Sequence, residues 1–257
     1  MSTRADVALV ARGLVRSRTL ARRLIETGAV LTDGPGGEVP VTRAAQPILP
    51  DQPLRVLESE TTRFVSRGGN KLDAALQAAG IDCTGLDALD VGMSTGGFTH
   101  CLLARGARQV LGIEVGHGQL DPVLAADPRV LCLEHTHIRD VYLADLRLPD
   151  GSAPAQGFAL IVVDLSFIAA SHLLDKLATL AAPGGRLTCL IKPQFELGPQ
   201  ARNRQGIVRA DADLDGLRRN VIQRAEDAGW QVDDWQRCAL VGGDGNQEYF
   251  LIATRRP

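Results

Sequence analysis

Six consecutive apolar residues, Phe158-Ala-Leu-Ile-Val-Val163, leave no polar side chain for a wet face. A strand exposed on one side alternates apolar and polar residues, so a continuously apolar strand must be covered on both sides. The run is also far short of the roughly 20 residues that a membrane-spanning helix needs. Further strand patterns fall at 88–92, 109–115, 130–134, 186–192, 231–240 and 248–254, with the first run extending over 159–164. Helical patterns lie between them, near 70–80, 97–105, 119–126, 168–181 and 212–228. Alternating strands and helices build a parallel sheet with helices on both faces. The last two strands follow each other without a helix, so one of them is expected to run antiparallel. The expected class is α/β, a Rossmann-like sheet of seven strands occupying 61–257.

Residues 1–60 read as a separate small α+β unit. Ala5 to Arg12 is a candidate helix stopped by Gly13, and Ser17 is a good N-cap for a second helix, Arg18 to Thr27. Leu20, Ala21, Leu24 and Ile25 recur at helical spacing and are expected to face a core. Extended pieces follow at 29–32 and 54–57 around the turn Asp33-Gly-Pro-Gly-Gly37. The net charge of the chain is −2, but within residues 1–25 Arg4, Arg12, Arg16, Arg18, Arg22 and Arg23 face Asp6 alone. A local cationic patch binds phosphate even on a slightly acidic protein. The polar segment 59–70 reads as a linker. Five scattered cysteines form no C-x-x-C pair, which excludes the usual zinc and disulfide patterns and suits a reducing cytosol. With no leader pattern and no spanning segment, a cytoplasmic protein is expected.

The chemistry concentrates in two places. The first is Ala88-Leu-Asp-Val-Gly92-Met-Ser-Thr-Gly96-Gly97-Phe98, an apolar strand entering a glycine-rich turn and a helix. Glu114 closes the next strand, where a Rossmann-type fold places an acid for ribose hydroxyls. The spacing is G-x-x-x-G-G rather than the G-x-G-x-x-G that seats a pyrophosphate, and Asp90 precedes the first glycine by two residues. An acid there is tolerable beside a cationic ligand without phosphate, which favours S-adenosylmethionine over a dinucleotide. The second place is the pair of strand ends at Asp164 and Lys192. In open α/β sheets the ligand crevice lies beyond the carboxyl ends of the strands, so both side chains are expected to face the glycine turn. A lysine acts as a base there only if burial or a neighbouring cation lowers its pKa; Lys71 is the candidate cation, and Asp164 would orient more than activate.

Taken singly, Lys192, Asp164 and Glu248 are ordinary strand-end residues; as a set with Lys71 they form a pattern. Ser66-Arg-Gly-Gly-x-Lys71-Leu, Leu89-Asp-Val-Gly-x-Ser-Thr-Gly-Gly-Phe-Thr99, Val115-Gly-x-Gly-Gln-Leu120, Asp164-x-Ser-Phe167, Lys192-Pro-Gln-Phe-Glu196, Gly206-Ile-Val-Arg209 and Gly245-Asn-x-Glu248 together resemble the TlyA family. Members of that family are ribosomal RNA 2′-O-methyltransferases, also known as hemolysins, with an S4 domain ahead of an FtsJ-like domain. Residues 4–34 resemble the S4 RNA-binding domain. The resemblance implies a catalytic tetrad of Lys71, Asp164, Lys192 and Glu248. In it Lys192 accepts or steers the 2′-hydroxyl proton, Lys71 and Glu248 position Lys192 and the ribose, and Asp164 serves lysine and cofactor. It implies a cofactor site of Asp90, Gly92, Ser94, Gly96, Gly97, Phe98, Glu114, Val115, His137 and Asp164, and no metal.

The RNA contacts would come from Arg12, Arg16, Arg18, Arg22 and Arg23, with Arg202 and Arg204 on a mobile loop, 193–209, that covers the cofactor. The partner implied is ribosomal RNA or a ribosomal subunit, with a cytidine ribose as target. Glu114 stands where the family commonly has aspartate, His137 where asparagine is expected near the adenine, and Met93 where a small residue is usual, so its side chain must point away from the cofactor. Two other readings compete: a membrane-active hemolysin, and an S4-type ribosome-assembly factor without catalysis.

Overall fold

A computed structural model describes residues 2–15, 17–34, 36–57 and 63–257, and the chain divides into two units, Met1–Arg63 and Phe64–Pro257. Arg16 and the first part of the expected linker, 59–62, lie outside the described residues. In the first unit, β1 (Thr3–Arg4) leads into α1 (Ala5–Ala11), and α2 spans Arg18–Glu26. Ser17 caps α2, its Oγ accepting from the Leu20 amide at 3.2 Å. Ala21, Leu24 and Ile25 are buried as their spacing requires, packed with Leu9, Val30 and Ile48, whereas Leu20 is only partly buried. Strands β2 (Val30–Gly34), β3 (Gly37–Pro40) and β5 (Leu54–Val56) form a sheet in the order β3-β2-β5, and β4 (Pro47–Ile48) pairs with β1.

The second unit opens with α3 (Arg67–Ala78), so Arg67 to Asn70 belong to a helix and not to a linker. Its first turn, Arg-Gly-Gly-Asn, is poor in helix formers and hides the true start from propensity. The sheet contains β6 (Asp87–Val91), β7 (Gln109–Ile113), β8 (Val130–Leu133), β9 (Phe158–Val163), β10 (Ala181–Ile191), β11 (Trp230–Arg237) and β12 (Tyr249–Arg255). Their order is β11-β12-β10-β9-β6-β7-β8. The strands from β10 to β8 pair in parallel. β12 inserts antiparallel to both β10 and β11, which identifies it as the expected reversed strand.

Between the strands lie α4 (Gly97–Ala104), α5 (Pro122–Ala125), α6 (Leu174–Ala178), α7 (Pro193–Glu196) and α8 (Leu214–Asp227). The expected helix over 168–181 is a 3-10 turn, Ala170–Leu173, followed by the short α6. Period-two alternation sorts the sheet into two cores. Leu89, Leu111, Ile161 and Leu187 pack on one face, and Ala88, Val110, Leu160 and Leu190 on the other. Each fully buried side chain of the larger kind contributes about 1.5–3 kcal/mol, so both helix layers are held firmly against the sheet. The chain leaves β6 toward β7 on one side and returns through β9 on the other. That reversal opens a crevice at the carboxyl ends of β6 and β9.

Candidate active site

The turn after β6 is shaped by steric necessity. Gly92 has φ +86°, and a Cβ there would collide with the carbonyl oxygen of Asp164, so the two strand ends approach as closely as they do only with glycine. Beyond it the Ser94 amide donates to Glu114 Oε2 at 2.9 Å, and the Gly116 amide donates to Oε1 at 2.7 Å. Glu114 therefore organises two loops while its carboxylate keeps further lone pairs. Two adjoining cavities result, of about 400 and 460 Å³. They share Gly92, Ser94, Asp164 and Ser166. The smaller is ringed by Ser66, Arg67, Lys71, Gly97, Phe98 and Lys192. The larger holds Glu114, Val115, His137, Ile138, Leu165 and Ile168, an apolar slot with Glu114 as its own carboxylate beside the shared Asp164.

Helices α3 and α4 meet where Ser66 Oγ packs on Gly97 and a Cβ at Gly69 would lie 2.8 Å from the Gly97 carbonyl oxygen. This contact brings Lys71, one turn into α3, to the crevice. Its ammonium forms a buried ion pair with Glu248, the residue just before β12. Lys192 leaves the end of β10, and its Nζ lies 2.6 Å from Asp164 Oδ1 and donates to Ser166 Oγ at 3.1 Å. The Asp164 contact is an ion pair off the line a hydrogen bond needs, and Oδ1 has no hydrogen-bond donor. Each lysine thus has its own carboxylate, so Lys71 does not stand beside Lys192 as an uncompensated cation.

Asp90 is fully buried under the turn. Thr99 Oγ1 donates to its Oδ2 at 2.7 Å, while Oδ1 has no partner. Burial pushes this carboxyl up to about 7, opposed by the Thr99 hydrogen bond and assisted by the charges of Asp164 and Glu114.

The structure gathers Lys71, Asp164, Lys192, Gly92, Ser94, Gly97, Phe98, Glu114, Val115 and His137 around the two cavities; Glu248 reaches them through Lys71. Gly96 and Asp90 line neither: Gly96 faces Leu124 and Leu120, and Asp90 supports the turn from below. Met93 is buried, its thioether packed at Gly112. The segment 193–209 is not an open loop. After α7 and a 3-10 turn, Pro199–Ala201, Arg202 bridges to Val208. Asn203 Oδ1 accepts from the amides of Gln205 and Ile207 at 2.9 and 3.0 Å, closing a tight hairpin that bears Arg202 and Arg204 and lines neither cavity.

Residues beyond the expected set also belong to the site. Ser166 joins both cavities and accepts from Lys192; Ser66 and Arg67 edge the smaller cavity, and Gln119 and Thr136 the larger. Phe167 is 88% exposed on the rim with φ +71°, its ring 5.6 Å from that of Phe195. Asp164-x-Ser-Phe was visible as a motif, but only the strand end shows that Ser166 points inward.

In the first unit four of the six patch arginines, Arg4, Arg12, Arg18 and Arg22, are already engaged. Arg4, Arg18 and Arg22 all pair with Asp6, at 2.9, 3.1 and 3.1 Å. Their guanidiniums, not the apolar core, seal Asp6 from water, and they hold its carboxyl far below the usual carboxylate range, the Arg4 bond most strongly and burial opposing. Arg12 donates to the carbonyls of Gln52, Leu49 and Pro50. Arg23 is exposed. Three guanidiniums on one carboxylate still leave a cationic face.

Comparison with known proteins gives this geometry a family. The family model for the FtsJ-like methyltransferases matches residues 64–255. The chain is 39% identical over 251 residues to the 16S/23S rRNA (cytidine-2′-O)-methyltransferase TlyA of Mycobacterium tuberculosis, covering 96% of this chain and 88% of that one. It is 32% identical over 247 residues to Hemolysin A of Brachyspira hyodysenteriae, covering 96% and 98%. A solved structure from Streptococcus thermophilus, provisionally named a hemolysin, superposes with a TM-score of 0.73 at 30% identity, covering 99% of this chain and 89% of the other. The chain belongs to the FtsJ-like methyltransferase family, in the company of its TlyA relatives.

Proposed function

We propose that this protein methylates the 2′-hydroxyl of a cytidine ribose in ribosomal RNA, 23S RNA before 16S, with S-adenosylmethionine as donor. The observation that carries the proposal is the pair of lysine–carboxylate contacts, Lys71–Glu248 and Lys192–Asp164, at one crevice beside a glycine cradle.

The residues fit the donor. The larger cavity offers an apolar slot with Glu114 for a nucleoside and its hydroxyls. The smaller offers the carboxylate of Asp164 toward a cationic end. Gly92 lets the turn lie against the Asp164 backbone, an approach that any side chain would prevent. S-adenosylmethionine supplies a methyl group already activated on a sulfonium. What the chain must add is a positioned hydroxyl and a destination for its proton. Lys192 Nζ, held by Asp164 and Ser166, must first give up its own proton to solvent; the neutral amine then accepts the hydroxyl proton, and Asp164 stabilises the ammonium re-formed. The Lys71–Glu248 pair braces the opposite wall of the smaller cavity, where it holds the ribose in line with the donor. Alignment supplies much of the rate effect, and proton transfer adds roughly 10²–10⁴-fold.

The first unit serves as an S4-like RNA-binding domain on this reading, with Arg18, Arg22 and Arg23 against phosphates of a ribosomal subunit and the hairpin arginines Arg202 and Arg204 as a second contact. The protein then works in the cytoplasm. The test is transfer of labelled methyl from S-adenosylmethionine to ribosomal subunits, mapped to the ribose. Transfer is expected from the native protein and is lost by at least 100-fold in Lys192→Ala; undiminished transfer in that variant, or label on a base, refutes the proposal. Membrane lysis that survived the same substitution would point to the hemolysin activity instead.

A further inference from the structure

Three polar side chains outside the lysine–acid set bind one another across the two strand ends that carry it. Gln194 lies in α7, two residues after Lys192, and is buried. Its Nε2 donates to Asp244 Oδ2 at 3.1 Å. Asn246, two residues before Glu248 and likewise buried, donates from Nδ2 to the same Asp244 oxygen at 2.9 Å and from its amide to Oδ1 at 3.1 Å. Asn246 also holds the arginine hairpin by its returning arm. Its Oδ1 accepts from the Val208 amide at 2.8 Å, and its Nδ2 donates to the Gly206 carbonyl at 3.1 Å. The turn so formed packs on Glu248: a Cβ at Gly242 would lie 2.8 Å from Glu248 Oε1.

We infer that Gln194, Asp244 and Asn246 form a positioning clip that sets the Lys71–Glu248 pair in register with the Lys192–Asp164 pair and moors the arginine hairpin to both. These are positioning residues: none lines either cavity. A buried polar group costs stability unless it is bonded, and an apolar packing would have filled the same space. Gln194 even leaves its Oε1 buried without a partner. Asp244 accepts only, which dictates the donor faces of both amides. The clip joins segments far apart in sequence to the residues flanking Lys192 and Glu248. Loss of any member therefore frees one pair to move relative to the other.

The consequence for turnover rests on the proposed methyl transfer; the consequence for the lysines does not. Lys71, Lys176 and Lys192 are the only lysines of the chain, so protein labelled with [¹³Cε]lysine gives three assignable signals. Lys176, stacked 4.5 Å over the Tyr142 ring, serves as the internal reference. In Gln194→Met and, separately, Asp244→Asn, the Lys71 or Lys192 signal is expected to move while Lys176 stays. The kcat for ribose methylation falls about tenfold with an altered pH profile, and KM for the donor stays within twofold. Unmoved lysine signals in both folded variants overturn the clip, whatever the enzyme does. So does a loss of kcat matched by equal losses of donor affinity and melting temperature, which marks a merely structural role. A native protein that transfers no methyl to rRNA would refute the proposed function and leave the lysine signals to judge the clip.

Discussion

Replacing Asp90 by asparagine should change how stability depends on pH, and in a direction opposite to that of an acid held by a cation. In the folded protein its carboxyl titrates near 7 instead of 3.8, chiefly because burial disfavours the charge. Between those values the folded state holds a proton that the unfolded chain has released. Stability therefore falls as pH rises through the window and is level below about 4 and above about 7. At 1.36 kcal/mol per unit the loss is on the order of 4 kcal/mol.

The amide introduced by Asp90→Asn would keep the hydrogen bond from Thr99, since its oxygen can accept, but it cannot titrate. Urea unfolding of both proteins from pH 4 to 8, followed by the fluorescence of Trp230 and Trp235, both on β11 of the second unit, isolates the effect, because titrating groups not coupled to Asp90 cancel in the difference. Whatever constant cost the new amide carries, the variant should gain on the native protein by a few kcal/mol across the range. A difference that stays flat within about 1 kcal/mol would mean that Asp90 is ionised in the fold, and the account of its burial would be wrong.

Other outcomes follow from the same geometry. Gly92→Ala forces a methyl group into the Asp164 carbonyl at a positive φ, so donor affinity measured by calorimetry should fall at least 100-fold and the melting temperature with it. Lys192→Arg, which preserves charge but cannot release a proton at working pH, should leave subunit binding within a few-fold and lower kcat by roughly 10²–10⁴; near-native turnover would remove Lys192 as the base. Arg18→Ala with Arg22→Ala should weaken RNA binding and reduce its salt slope by about 2, leaving donor affinity unchanged. An unaltered slope would show that both guanidiniums are spent on Asp6.

Much of the catalytic unit is legible in the linear chain because the relevant physics is local. Continuous apolar runs can only be buried strands, the glycine spacing can only be a close-approach turn, and strand ends in such a sheet face one crevice. Asp164, Lys192 and Glu114 were placed by that reasoning alone. Composition carries a further signal in retrospect: of 28 basic residues only three are lysine, and two of them, Lys71 and Lys192, line the smaller cavity.

What local rules could not reach are arrangements set by long-range contact. The start of α3 is hidden by its glycines, which are there to let helix pack on helix and not to favour a helix. The segment 193–209 looks irregular because its order comes from Asn203 and from Asn246 far along the chain, not from apolar periodicity. The arginines near the N-terminus count as a bare cationic patch in sequence, yet three of them converge on Asp6. Sequence alone determined the sheet, the turn and the strand-end residues, whose signals repeat within a few positions. Only the tertiary structure decided that Lys71 pairs with Glu248 and Lys192 with Asp164, because ion pairs between residues so distant depend on where the folded strands and helices bring them.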